Sequence, residues 1–251
     1  MQPYFRITAY IAIFIGYLGF MSLYAPLGIT WLEWHGQRIF NATEFLRMNG
    51  YFNSYGFTIW DTCNNCSLEY SSWKDRIYFS VHGISMLPYI LVNHFGGKES
   101  LFAIGPIIDK FAIFASAILV SELFITSIKN KIYLPILLLS SACFTLFITS
   151  PWAYKMILAT WFEVYFLLFF LLGMACFQKN KTFLGYLSFF CAGLFHIQWA
   201  LAVIIFYILV LFASRIYNKE VEMMKYFPSY EGEFNHPMKI IFVSLMPILA
   251  F

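Results

Sequence analysis

An all-α, polytopic membrane protein is the fold class this sequence predicts, and two observations carry the prediction. The composition is 61% apolar and 22% aromatic with only 12% charged residues, far outside the range of soluble globular domains. The apolar residues also gather in helix-length runs rather than in alternating segments, which points to helices and not to an outer-membrane barrel. The abundant Phe and Tyr suit lipid-facing and interfacial positions, and a net charge of +3 gives no argument for nucleic acid.

The first span is expected over residues 7–29, a run too long and too evenly apolar for a removable signal peptide, and it reads as an uncleaved anchor. Arg6 precedes it with no acidic residue nearby in sequence, which keeps the N-terminus cytoplasmic. A polar stretch follows from Trp31 to Gly50, carrying Glu33, His35, Arg38, Glu44 and Arg47. Ile39, Ala42, Thr43 and Leu46 recur there at helical spacing and Asn49-Gly50 is a helix stop. A short interfacial helix is therefore expected from about Gln37 to Met48, with Glu44 and Arg47 paired at i,i+3.

Residues 51–76 form a loop rich in Asn, Ser, Tyr and Gly, and 77–95 is apolar yet holds His82, Gly83, Pro88, Asn93 and His94. Later spans are expected at 101–127, 132–150, 156–177, 183–195, 197–214 and from 240 onward. If 77–95 crossed the bilayer, the loops bearing Lys129 and Lys131, and Lys179 and Lys181, would fall outside, against the positive-inside rule. If it lies in the outer interface as an amphipathic or re-entrant helix, every short basic loop falls inside. The run 183–214 would reach about 48 Å as one helix, against a hydrocarbon core of about 30 Å, so two crossings meeting near His196 are expected. The preferred arrangement is seven crossings in a single transmembrane domain, with a large first outer loop over 30–100. In that loop Glu33, Glu44, Asp61, Glu69, Asp75 and Glu99 nearly balance Arg38, Arg47, Lys74, Arg76 and Lys98.

This arrangement resembles the GT-C class of membrane glycosyltransferases, which includes protein O-mannosyltransferases and aminoarabinose transferases. The residues that carry the resemblance are Trp31-Leu32-Glu33-Trp34 just after the first span, the helix ending at Asn49-Gly50, the HGISMLPYIL segment from His82 to Leu91, and Thr149-Ser150-Pro151 with Glu163 at the head of the next span. Two departures stand out. Family members often have Asp-Glu where this chain has the lone Glu33, and Val81-His82-Gly83 replaces the Lys-Pro-Pro-like segment of some relatives. Phe251 falls early in the last apolar run, so either a short final helix or a truncated member is expected.

The resemblance implies a GT-C-like helical bundle whose outer loop bears interfacial helices. It implies transfer of a sugar from a polyprenyl-phosphate-linked donor to a glycan, lipid or protein acceptor at the outer face of a membrane, most simply a bacterial plasma membrane. Such a reaction needs an oriented or deprotonated nucleophile and a stabilised leaving phosphate. Glu33 is the expected base. Asp61 is the second carboxylate, or a ligand for a divalent metal ion of the kind some members use. His35, Arg38, His82 and Lys110 are candidates to hold the donor phosphate, and Lys155, Glu163 and His196 to line the acceptor or donor groove.

Each assignment has a structural rival, since an interfacial or helix-end polar residue needs no catalytic role. Asp109 and Lys110 lie inside a span, where ionisable groups are costly and face a cavity or a partner. Being adjacent, they point in different directions. Cys63 and Cys66, at CxxC spacing in the outer loop, suit a local disulfide; a zinc site would need two more ligands, with His82 and His94 weak candidates. No Gly-rich phosphate loop, HExxH or Gly-x-Ser-x-Gly elbow is present. The rival functions are a transporter or flippase-like protein without transferase chemistry, and a noncatalytic scaffold of the same fold.

Overall fold

The structure, a computed structural model of the chain, describes residues 4–24, 29–50, 57–59, 77–82, 86–126, 133–151, 153–154 and 163–196. Over residues 24, 29–36, 57–59, 77–82, 126 and 133–135 it describes the backbone alone. The elements in order are α1 (Tyr4–Tyr24), α2 (Ile29–Asn49), β1 (Phe57–Ile59), β2 (Ile77–His82), α3 (Leu87–Thr126), α4 (Tyr133–Ile148), α5 (Glu163–Gln178) and α6 (Thr182–Phe195). The described residues are mainly helical, as expected, with a short two-stranded ribbon between α2 and α3.

Among the described residues, two helices, α1 over Tyr4–Leu23 and α3 over Leu87–Ile125, are long and apolar enough to cross a membrane. On α1 the stripe Tyr10, Phe14 and Met21 is buried, while Phe5, Ile11, Ile15, Phe20 and Leu23 are exposed. A helix apolar on all sides suits a lipid surround. Tyr10 stacks on Phe144 of α4 at 4.8 Å, and Phe14 meets Phe114 of α3 at 4.9 Å between ring centroids. Arg6 pairs with Glu122. The contacts of Arg6 with Glu122 and of Phe14 with Phe114 make α1 and the second part of α3 antiparallel.

Two expectations are corrected here. The run read as one span over 7–29 is not a single element: α1 covers Tyr4–Tyr24 and Ile29 already belongs to a second helix, α2. Accordingly α2 runs from Ile29, not from about Gln37, and Glu33 and His35 sit on its first turns rather than ahead of it. Gly36 alone is too weak a breaker to stop it. At its far end Gly50, at φ 75°, takes the left-handed position that favours glycine, and its N–H bonds to Leu46 O at 2.9 Å.

The other correction concerns 77–95, which is not one interfacial helix. Its first part, Ile77–His82, is a strand pairing antiparallel with Phe57–Ile59 in the register Ile59 with Ile77, Thr58 with Tyr78 and Phe57 with His82. The alternation of β-branched and aromatic residues in IYFSVH favours an extended chain. From Leu87 the chain is in α3, where Pro88 occupies the first turn and its missing N–H costs no helical bond. The helical run is broken at Gly97, whose φ of 70° and ψ of −173° are not helical. This leaves an arm, residues 87–96, and a stem, residues 98–126. The arm is about 15 Å long at about 1.5 Å per residue, half of a hydrocarbon core of about 30 Å.

The core is shared by α1, α2, both parts of α3, α4 and α5, around Tyr10, Ile39, Phe45, Tyr89, Ile113 and Phe144. Helices α5 and α6 form an antiparallel hairpin, with Phe177 against Tyr186 at 5.2 Å near the turn and Phe169 stacked on Phe195 at 5.2 Å near the open end. Asn180, at φ 57°, takes the left-handed cap position that ends α5, and the Lys181 N–H reaches back to Cys176 O at 2.8 Å. The expected spans at 197–214 and from 240 onward lie outside the described residues.

Candidate functional site

Burying a carboxylate in an apolar bundle is costly unless hydrogen bonds replace its water, so Asp109 is the natural starting point. It lies on the stem with 0% of its surface exposed. The Tyr89 hydroxyl, from the arm, donates to Asp109 Oδ1 at 2.6 Å, and the Tyr165 hydroxyl, from α5, donates to the same oxygen at 2.9 Å. The two rings meet edge to face at 6.2 Å. Three chain segments converge on one oxygen. Lys110, the next residue, is half-buried, as expected for side chains about 100° apart around a helix.

A second polar contact ties the arm to α2. Asn93 Nδ2 donates to Glu44 Oε1 at 2.6 Å and to Thr43 Oγ1 at 3.3 Å. Glu44 also accepts from Arg47 Nε at 3.0 Å and Nη2 at 2.6 Å, which is the i,i+3 pair expected from sequence. Burial pushes the Glu44 carboxyl up, but the hydrogen bonds from Arg47 and Asn93 and the Arg47 charge outweigh it and hold the group below its ordinary value. Within α2, Gln37 Nε2 donates to Asn41 Oδ1 at 2.7 Å between two buried side chains.

At the open end of the α5/α6 hairpin, His196 Nε2 lies 3.4 Å from Glu163 Oε1. Glu163 begins α5, and His196 caps α6, its N–H bonded to Ala192 O. His196 is buried, so this contact is shielded from competing water. The Arg6 end of the bundle differs in kind. Arg6 Nε and Nη2 donate to the two Glu122 oxygens at 3.0 and 2.8 Å, and the Tyr10 hydroxyl adds a bond to Oε1 at 3.1 Å. This fork engages both carboxylate oxygens and reads as an anchor between α1 and the stem.

Of the residues marked from sequence, Glu163 and His196 are brought together. Arg38 lies on α2, half-buried, five residues after Glu33 in sequence. Glu33 and His35 are described in backbone only, on α2, and His82 likewise ends β2. Asp61, Cys63, Cys66 and Lys155 lie outside the described residues. Among the described residues, no group of three or more His, Cys, Asp or Glu is placed to hold a metal ion.

Sequence reasoning gives no role to Tyr89, Asn93 or Tyr165, and marks Asp109 only as a costly intramembrane charge. That cost was the one available signal. The tyrosines carried none in a chain with 17 of them. Comparison with known proteins found no matching family model, no matching curated protein and no matching solved structure.

Proposed function

We propose that this chain is a multi-pass membrane glycosyltransferase of GT-C type, in a bacterial plasma membrane with a cytoplasmic N-terminus. It moves a sugar from a polyprenyl-phosphate-linked donor to an acceptor at the outer face. One observation supports the reading over a scattered set of structural polar groups. The polar contacts differ along the bundle: a charged fork joins Arg6 to Glu122, whereas Asp109, thirteen residues earlier on the same stem, is held by Tyr89 and Tyr165, and Tyr165 lies two residues from the Glu163–His196 contact. A transferase working at one membrane face needs its polar groups gathered in this way, facing one headgroup layer.

In this reading Glu33 takes the proton of the acceptor hydroxyl as its oxygen attacks the anomeric carbon. The bond between that carbon and the donor phosphate oxygen breaks, and polyprenyl phosphate leaves with the electron pair. Arg38, His35, His82 and Lys110 supply positive charge and N–H donors to the leaving phosphate. Glu163, His196 and Lys155 line the groove. No step is routed through a divalent ion; Asp61 is the residue that would hold one.

Sugar transfer by the full chain in liposomes carrying a polyprenyl-phosphate sugar tests the proposal. Glu33→Gln should abolish turnover while the protein still inserts and folds; unchanged turnover removes Glu33 as the base. Asp109, buried in a stem that follows a helix break, favours a second reading, a flippase-like transporter. Movement of the intact sugar lipid across the bilayer, with no glycosidic bond broken, would decide for it.

A further inference from the structure

We propose that residues 87–96 are a hinged arm that swings on Gly97 and is latched shut by Asp109 and Glu44. This goes beyond the transfer chemistry and does not depend on it. Gly97 supplies the joint, since φ 70° with ψ −173° is a backbone region open essentially to glycine alone. Gly96 keeps the joint tight, because a Cβ there would collide with Ser100 Oγ on the stem.

The arm has two unlike faces. Met86, Tyr89 and Asn93 are buried at spacings of three and four, while Leu87, Leu91 and Phe95 on the other side are exposed, Phe95 by 84%. The inner face carries two polar side chains, and each is used across the joint or between elements. Tyr89 bonds to Asp109 on the stem, and Asn93 bonds to Thr43 and Glu44 on α2. The outer side is apolar except for His94, whose ring meets Phe95 edge to face at 5.1 Å, so its exposed apolar residues make no contact that opening the arm would have to break.

Asp109 is the positioning residue of the latch because its other bond goes to Tyr165, two residues beyond Glu163 at the start of α5. Closing the arm therefore reports on the placement of the α5 end. Opening it releases Asp109 from Tyr89 and Thr43 and Glu44 from Asn93, a polar floor that the closed arm holds through those two side chains. The arm gates access from the outer interface to that floor.

Amide hydrogen exchange on the full chain in nanodiscs tests this. Tyr89→Phe keeps the ring and removes one latch bond; it should speed exchange across residues 87–96 by at least about tenfold, with exchange in α1 and α6 unchanged. Tyr165→Phe leaves the Tyr89 bond in place and should speed exchange in the arm far less. Gly97→Ala should shift the arm out of its closed position and give the same local acceleration. Unchanged exchange in the arm with Tyr89→Phe, or an equal rise through arm, stem and α5 in both tyrosine variants, overturns the latch and leaves a plain core contact. Neither result bears on Glu33→Gln, so latch and transfer chemistry fail separately.

Discussion

Tyr89 and Asp109, on opposite sides of the break at Gly97, meet at 2.6 Å. A straight helix would hold these residues about 30 Å apart along its axis, so the hydrogen bond exists only because the helix folds back at the glycine. Tyr165 completes the site from another helix at 2.9 Å. Asp109→Ala leaves two buried phenols without this acceptor and should cost about 2–5 kcal/mol. Asp109→Asn keeps an acceptor oxygen and should cost less than half as much. Thermal unfolding in detergent, followed by Trp fluorescence, compares the two; equal losses would mean that charge, not acceptor geometry, is what the site requires.

The Arg6–Glu122 fork joins chain positions 116 residues apart and is partly exposed, with side-chain exposures of 19% and 33%. Solvent weakens such a pair. Arg6→Ala should therefore destabilise by about 1–2 kcal/mol, below the value for a fully buried pair. A double-mutant cycle with Glu122→Gln is the measurement, and a coupling near zero would show that the fork adds nothing beyond packing.

Glu44 gives a pH dependence whose sign follows from its depressed carboxyl. A group with a lowered folded-state pKa contributes stability above its unfolded value, near about 4.3, and that contribution is lost as pH falls through the lower folded value. The α2-to-arm contact should weaken below about pH 4. Unfolding midpoints at pH 6 and pH 3 should differ in the parent chain, and the difference should shrink in Glu44→Gln. An unaltered difference places the titrating group elsewhere.

The α5/α6 hairpin is packed through two glycines. A Cβ at Gly185 would stand 2.9 Å from the Phe177 ring, and one at Gly173 would stand 3.0 Å from the Phe189 ring. Those two rings are themselves stacked at 5.7 Å. Gly185→Ala and Gly173→Ala should each cost about 1–3 kcal/mol from overpacking, and the double variant should not be additive. Thermal unfolding with a hairpin-specific exchange measurement checks this; neutral variants would show that the rings have room to shift.

Helix type and approximate place were legible wherever a segment is long and apolar. The expected 183–195 coincides nearly with Thr182–Phe195, and 132–150 contains Tyr133–Ile148. The local Glu44–Arg47 pair was legible as well, because i,i+3 neighbours on a helix face need no tertiary information. Boundaries were missed where apolar content ran through a backbone break. Residues 7–29 take in parts of two helices, and 77–95 takes in a strand and the start of another helix, since hydropathy does not register backbone conformation.

By itself, then, the sequence determined a chain rich in apolar helices, because helix-length apolar runs satisfy their own backbone hydrogen bonds and exclude charge. It also marked Asp109 as a charge that would face a cavity or a partner. Which partner was decided only by the tertiary structure, since Tyr89, Tyr165 and Asp109 are distant in the chain and become neighbours through the fold at Gly97 and the docking of α5. The same holds for Arg6, whose acidic partner Glu122 is far along the chain. Spacing can position neighbours on one helix, whereas contacts between helices depend on packing that no local pattern encodes.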